Sequence, residues 1–142
     1  MSQIKNPWKI NSSKTVYETP WIEVSHHEVI NPANKPGIYG TVQFKNLAIG
    51  IIPLDENYNT WIVGQWRFPL KQYSWEIIEG GGPLNIAPIE SAKRELKEEA
   101  GIVAEKYTLL CNMHTSNSAT NEYCHIFLAQ NLKFEESEPE ES

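Results

Sequence analysis

Glu95, Glu98 and Glu99 set three carboxylates within about one helical turn; Arg94 stands in front of them and Gly101 closes the run. Residues three and four apart on a helix are side-by-side neighbours, so Glu95 can share a ligand with Glu98 and with Glu99. Three anions this close repel one another unless a cation or an arginine sits among them. At roughly 100° per residue, Ile89, Ala92, Leu96 and Ala100 line up as an apolar stripe with Glu99 and Glu95 on one flank. These two carboxylates are therefore expected at the edge of a packed core. Hard oxygen ligands in such a place suit Mg2+ or Mn2+, which keep waters and a bound phosphate in their remaining positions. The competing reading is a solvated face on which Arg94 and Glu98 form an i,i+4 ion pair worth about 0.3 kcal/mol. For a Glu-x-x-Glu-Glu run standing alone, that second reading is the better one.

The segment before the helix shifts the balance. Trp75-Glu76-Ile77-Ile78 reads as a short apolar strand and runs through Glu79 into Gly80-Gly81-Gly82-Pro83. Glycines there allow positive φ and a close approach of backbone to ligand. Pro88 suits the first helical turn and Gly101 the position just past its end. With Gly80, Arg94, Glu95, Leu96, Glu98, Glu99, Gly101 and Ile102 at the required spacing, the sequence resembles the Nudix hydrolases. One position departs, because Ile86 stands where the signature has a glutamate. That glutamate supports the helix through the signature arginine in the family, so the orientation of Arg94 is what its absence puts in question. Glu90, four residues before Arg94 on the same face, is the available substitute. Ala87 is a poor N-cap, which leaves Asn85 or the glycine segment to satisfy the first helical N–H groups.

The resemblance extends from about Trp8 to the C-terminus and is closest to the ADP-ribose pyrophosphatase-like branch. Its markers are Gly64-Gln65-Trp66-Arg67-Phe68, Trp75-Glu76, and Ser116-Asn117-Ser118-Ala119-Thr120-Asn121-Glu122. It implies that Arg67 reaches the substrate, that Glu122 lies near the metals or the diphosphate, and that Gly80 and Gly81 approach the ligand. An N-terminal β segment that crosses to a second subunit is implied as well, which makes a homodimer the expected state. Trp21 or Tyr17 is then available to stack on adenine, although such aromatics more often serve cores and interfaces. The acidic end, Phe134 to Ser142, would supply a catalytic base, with Glu141 best placed and Glu140 beside it. Relatives continue past this loop with another strand and a helix, so the sequence is expected to represent an incomplete chain. The plainer readings are a surface ion pair for Arg67, a polar hairpin for Ser116–Glu122 and a solvated tail.

Composition sets the outer limits. The chain has 142 residues, 40% of them hydrophobic, enough for one domain with a core. A net charge of −6 argues against a nucleic-acid backbone as partner, since phosphate tracking needs a basic patch. No apolar stretch approaches the roughly 18 residues of a membrane span, and the N-terminus lacks a signal-peptide core, so the expected location is cytoplasmic. Cys111 and Cys124 have no zinc-ligand spacing and read as buried thiols. His26 and His27 are adjacent, point to opposite faces of a strand and cannot chelate one metal together. His114 and His125 read as structural or surface residues.

The positioning elements follow from pattern. Two strands within Thr15–Val29 meet near Pro20, a loop covers Asn31–Gly37, and strands fit Tyr39–Phe44, Leu47–Pro53 and Thr60–Gln65. A strand at Trp75–Ile78, a helix near Pro88–Ala100, and strands at Tyr107–Met113 and Tyr123–Ala129 complete the map. The fold class is α/β (α+β), and the resemblance implies an α/β/α sandwich with a mixed β-sheet and an N-terminal antiparallel β segment. Residues 1–142 form one expected domain, with the β segment at about 1–45, the core at about 46–134 and an acidic tail at 135–142.

The expected activity is Mg2+-dependent hydrolysis of a nucleoside diphosphate joined to another group, ADP-ribose or another ADP-sugar, to AMP and a sugar phosphate. In that reading Glu95, Glu98 and Glu99 hold metal with the carbonyl of Glu79, Arg94 orients the glutamates, and Arg67 clamps a phosphate or the terminal ribose. Two rivals stand beside it. One is a different substrate on the same helix, a nucleoside triphosphate or dinucleoside polyphosphate. The other is a catalytically weak module that binds a nucleotide sugar, which Ile86 would favour.

Overall fold

A computed structural model describes residues 4–136, which fall into two compact units. The first contains the chain up to Lys45 together with Ser116–Glu122. Strands β1 (Lys9–Glu18), β2 (Ile22–Ile30) and β3 (Pro36–Phe44) form an antiparallel meander in the order β1-β2-β3. Pro20 falls in the β1–β2 turn as expected, and β1 begins six residues before the expected Thr15. His27 sits across the three strands, its Nδ1 2.7 Å from Ser13 Oγ and its Nε2 2.8 Å from Thr41 Oγ1. It is a structural residue. The Ser116–Glu122 segment docks on β3 through the Val42 N–H to the Ala119 carbonyl, 2.8 Å, and the Phe44 N–H to Asn121 Oδ1, 2.6 Å.

The second unit carries a four-stranded sheet in the order β7-β4-β9-β8. Its strands are β4 (Asn46–Pro53), β7 (Ile78–Pro83), β8 (Ile102–His114) and β9 (Tyr123–Phe134). The β4–β9 pair is parallel and the other pairs are antiparallel, so the sheet is mixed, as expected. A separate hairpin pairs β5 (Val63–Arg67) with β6 (Gln72–Glu76). The single helix among the described residues, α1 (Pro88–Ala100), packs on β7, β4 and β8. Ile49, Ile51, Ile78, Leu96 and Ile102 are fully buried at this seam, and each contributes about 1.5–3 kcal/mol of apolar burial. Ala92 and Leu96 face the core, with Ile89 and Ala100 half-buried beside them, as the helical stripe predicts.

Several boundaries differ from the sequence reading for local reasons. The strand expected at Thr60 starts at Val63. The Asp55 carboxylate accepts the N–H groups of Asn57 and Asn59, both at 2.8 Å, and holds a turn that leaves Thr60 only a bridge to Leu54. The single strand expected at Trp75–Ile78 is two. β6 ends at Glu76 in the hairpin and β7 begins at Ile78 in the main sheet. The three glycines are strand residues of β7, not a loop, and none has positive φ; the one glycine that does is Gly101. β8 starts directly after the helix cap and runs to His114, with a register shift between Leu109 and Cys111. Cys111 is exposed and Cys124 half-buried, so the expectation of buried thiols fails for Cys111.

Candidate functional site

The helix that carries the carboxylates is fixed at both ends by backbone chemistry. Ala87 provides no side-chain cap, and Pro88 starts the helix where its missing N–H costs nothing. At the other end Gly101 takes φ 63°, and its N–H donates to the Lys97 carbonyl at 2.9 Å. The next residue, Ile102, is fully buried at the start of β8, so the cap also aims the chain into the sheet.

Between helix and sheet, β7 brings its glycines against the acidic face of α1. A Cβ at Gly80 would lie 2.1 Å from Glu95 Cδ and 2.3 Å from both carboxylate oxygens. Glycine is required at this position by close approach, not by a left-handed backbone. Glu95 is only 8% exposed. The Arg94 guanidinium ties the cluster together. Its Nη2 donates to Glu95 Oε1 at 2.6 Å and to the Gly81 carbonyl at 3.0 Å, and its Nη1 donates to Glu98 Oε2 at 2.7 Å. The i,i+4 pair of the plainer reading is thus present, as part of a network that reaches the sheet. Glu90 does not replace the signature glutamate as a partner of Arg94, because its Oε1 accepts from Lys93 Nζ at 2.8 Å. Ile86 is 43% exposed. The glutamates of the helix and the Gly81 carbonyl, rather than a residue at position 86 or 90, hold Arg94.

A second arginine closes the other side of the cluster. Arg67, the last residue of β5, donates Nε to both oxygens of Glu76, at 3.0 and 2.8 Å, and Nη2 to Glu76 Oε2 at 2.5 Å. Its Nη2 also donates to Glu79 Oε1. Glu76 stands in the sequence only as part of the Trp75-Glu76 marker, with no role assigned to it, yet the alternation of the hairpin contains the signal. Val63 pairs with Glu76 and Arg67 with Gln72, so Arg67 and Glu76 share a face four pairs apart, within reach of the long arginine side chain. The hydrogen bond from Arg67 pushes the Glu76 carboxyl down to about 2.

Three other carboxylates shift the opposite way. Burial raises the pKa of Glu79, Glu95 and Glu99 above the ordinary carboxylate value, and neighbouring carboxylates add to the rise in each case. Glu99 accepts a backbone hydrogen bond from Glu79, while its Oε2 is buried with no hydrogen-bond partner. A buried, unpartnered carboxylate oxygen among raised carboxylates is what a hard cation would satisfy. No three Asp, Glu, His or Cys side chains among the described residues are already arranged as a metal cage, and Arg94 engages two of the three glutamates of the Glu95–Glu99 cluster. The donor set fits a divalent cation through Glu99 first, with Glu95 and Glu98 shared with Arg94.

The matches to known families follow the same division of the chain. Residues 44–142 match the NUDIX domain model, and residues 8–42 match the nucleoside diphosphate sugar hydrolase N-terminal domain. The chain belongs to the Nudix family. Two relatives, the ADP-ribose pyrophosphatases of Bacillus subtilis and Mycobacterium tuberculosis, are each 32% identical to it, over 93 and 89 residues. Those stretches cover 66% and 61% of this chain but 50% and 42% of the relatives, so the chain aligns with about half the length of the curated relatives it matches. With the N-terminal match, they place it nearest the ADP-ribose pyrophosphatase-like branch. A solved structure described as an ADP compounds hydrolase superposes with a TM-score of 0.86 at 22% identity, covering 99% of this chain and 76% of that one. This shows a shared fold.

The Nudix helix thus gathers Arg94, Glu95, Glu98, Glu99, Arg67, Glu79, Gly80 and Gly81 in the second unit. Trp21 and Glu122 lie in the first unit. Trp21 is 67% exposed, its carbonyl accepting the Lys45 N–H at 2.9 Å. Glu122 follows the turn in which Thr120 Oγ1 donates to the Ser116 carbonyl at 3.1 Å. Glu141 lies outside the described residues. No helix of the described residues is long and apolar enough to cross a membrane.

Proposed function

We propose that this protein hydrolyses a nucleoside diphosphate joined to a second group, ADP-ribose or another ADP-sugar, giving AMP and a sugar phosphate with Mg2+. The observation that carries the reading is the Glu99 oxygen left buried and unpartnered between two arginine-held carboxylate clusters. A buried carboxylate oxygen without a partner beside two arginines is suited to a ligand that brings a cation together with a phosphate. Glu99, Glu95 and Glu98, with the carbonyl of Glu79, are the groups that would hold the cation. A bound divalent cation lowers the pKa of water and neutralises charge developing on the diphosphate.

The protein's own groups do the rest. Arg94 keeps Glu95 and Glu98 in register and anchors both to β7 through the Gly81 carbonyl. Gly80 leaves the space in which the Glu95 carboxylate sits. Arg67 presents a planar fork suited to a phosphate or ribose, oriented by Glu76. A carboxylate removes the proton from the attacking water, and Glu141 in the acidic end is our candidate for that base. Glu122 and Trp21 are candidates for contacts to the diphosphate and the adenine. The names of the relatives and the N-terminal family match support an ADP-sugar over a free triphosphate. We propose a cytoplasmic homodimer as the working form; the long exposed β1 supports the dimer.

The test is AMP release from ADP-ribose in millimolar Mg2+, comparing the protein with a Glu98→Gln, Glu99→Gln double variant. Turnover that depends on Mg2+ and disappears in the variant supports the reading. Turnover that survives the double substitution would remove the helix from the mechanism, and tight binding without turnover would favour a nucleotide-sugar-binding module.

A further inference from the structure

Arg67 holds more negative charge than one guanidinium needs. Glu76 takes it along the Nε–Nη2 edge with three hydrogen bonds, and Glu79 takes Nη2 as well. The two carboxylates are not equivalent. The side chain of Glu76 is 16% exposed, whereas that of Glu79 is 43% exposed and makes a single contact to the guanidinium. Glu79 also lies within hydrogen-bond reach of the Glu76 side chain, and the charges of Glu76 and Glu99 both act against its ionised form. Its backbone is fixed in β7 by pairing with Gly50 and by the hydrogen bond to Glu99, so only the side chain is at liberty to move.

We propose that the Glu79 side chain is a built-in competitor for the substrate diphosphate, resting on Arg67 and displaced from it when a phosphate oxygen arrives. The inference deepens the preceding section and rests on its reading of Arg67 as a phosphate clamp. Glu76 stays as the orienting partner, because breaking a bidentate, largely covered pair costs far more than releasing a half-exposed single contact. Glu79 thereby sets a threshold. A weakly charged or monodentate anion does not repay the displaced contact and the repulsion it meets, whereas a diphosphate offers two charged groups and does. The carboxylate keeps the guanidinium oriented and partnered in the resting protein, and discriminates against single small anions.

The experiment is equilibrium binding of inorganic pyrophosphate and of inorganic phosphate to the full chain, by calorimetry without divalent cation. It is independent of turnover, so its outcome is separate from whether ADP-ribose is the substrate. Glu79→Gln is expected to bind pyrophosphate roughly two- to fivefold more tightly and to narrow the preference for pyrophosphate over phosphate, the scale of one part-exposed charge contact. Glu79→Asp, which keeps the charge but shortens the reach, is expected to give a smaller gain in the same direction and serves if the glutamine variant folds poorly. Adding Arg67→Ala should abolish the gain. Unchanged or weaker pyrophosphate binding in both Glu79 variants would overturn the proposal, and so would a gain that persists without Arg67, since that would be a general charge effect.

Discussion

Replacing Gly80 with alanine separates the chemistry of the site from the stability of the fold. The new Cβ would stand 2.1 Å from Glu95 Cδ, and real Cβ contacts essentially never fall below 3.0 Å, so the carboxylate must retreat by about 1 Å. The group that yields is the end of a flexible side chain, so the folding cost is that of an off-rotamer glutamate, about 0.5–1.5 kcal/mol. Against it stands the gain of alanine over glycine at a strand position with ordinary backbone angles, about 0.5–1 kcal/mol. The two nearly cancel, and the Tm of Gly80→Ala should stay within a few degrees of the parent. Activity has no such compensation. A retreat of this size breaks the 2.6 Å contact from Arg94 to Glu95 and shifts the donor set for the cation, and misplacement of about 1 Å costs on the order of 100-fold in rate. The assay is AMP release from ADP-ribose at saturating Mg2+, paired with a thermal melt of the same preparation. A folded Gly80→Ala protein whose kcat lies within threefold of the parent would refute the claim that glycine is there to seat Glu95.

Other outcomes follow from the same geometry. Arg67→Lys keeps a charge but loses the fork onto Glu76, so KM for ADP-ribose should rise about tenfold while the melt changes little, as expected where a bidentate partner becomes a point charge. Glu99→Gln removes a carboxylate whose pKa burial raises, so its cost to the fold is absent below the unfolded carboxylate value, grows as pH rises from there and is full above the raised value. The metal-free variant should therefore melt higher than the parent near pH 8, with the difference shrinking as pH falls toward the ordinary carboxylate range of about 4.3, and it should lose the Mg2+-dependent rise in Tm. Glu76 carries the opposite sign, because its contribution is present at neutral pH and lost as pH falls toward about 2, so the penalty for Glu76→Gln should be greatest at neutral pH. Gly101→Ala forces a side chain into a left-handed cap at φ 63° and should cost about 1–2 kcal/mol, read as a Tm several degrees lower with the rate constants unchanged.

The parts of this site that could be read in the sequence are those whose chemistry is periodic. The apolar stripe through Ala92 and Leu96 fixes the rotation of α1, so it also fixes which glutamates lie at the core edge, and Glu95 and Glu99 are found there. Pro88 and Gly101 mark the ends of the same helix correctly because both act through backbone geometry that needs no tertiary partner. Gly80 shows where such reasoning stops. A run of three glycines permits positive φ, but an extended strand uses glycine equally well when a side chain from another element must occupy the Cβ position, and only the packed pair tells them apart. Arg94 is a second case. Its helical neighbours suggested Glu90 by spacing, whereas the guanidinium turns toward Glu95, Glu98 and a carbonyl of β7, a choice made by the sheet below the helix.

Arg67 and Glu76 are nine residues apart across a hairpin whose strand breaks at Ile77 could not be seen in a continuous apolar run. Once the break is placed, the role of Ile77 becomes physical. A Cβ at Gly50 would come within 2.8 Å of the Ile77 side chain, so that side chain lies against the strand bearing the core residues Ile49 and Ile51. The chain leaves the hairpin with Arg67 and Glu76 on one face and enters the main sheet with Glu79 beside them. The arginine of one sheet is thereby held by carboxylates of two, and the clamp depends on the one-residue break between elements instead of on a motif within either. A substitution that relaxes this break, such as Ile77→Ala, should loosen Arg67 without touching a charged group. It is expected to raise KM for ADP-ribose more than it lowers kcat, and a fall in kcat alone would show that the break serves the helix instead.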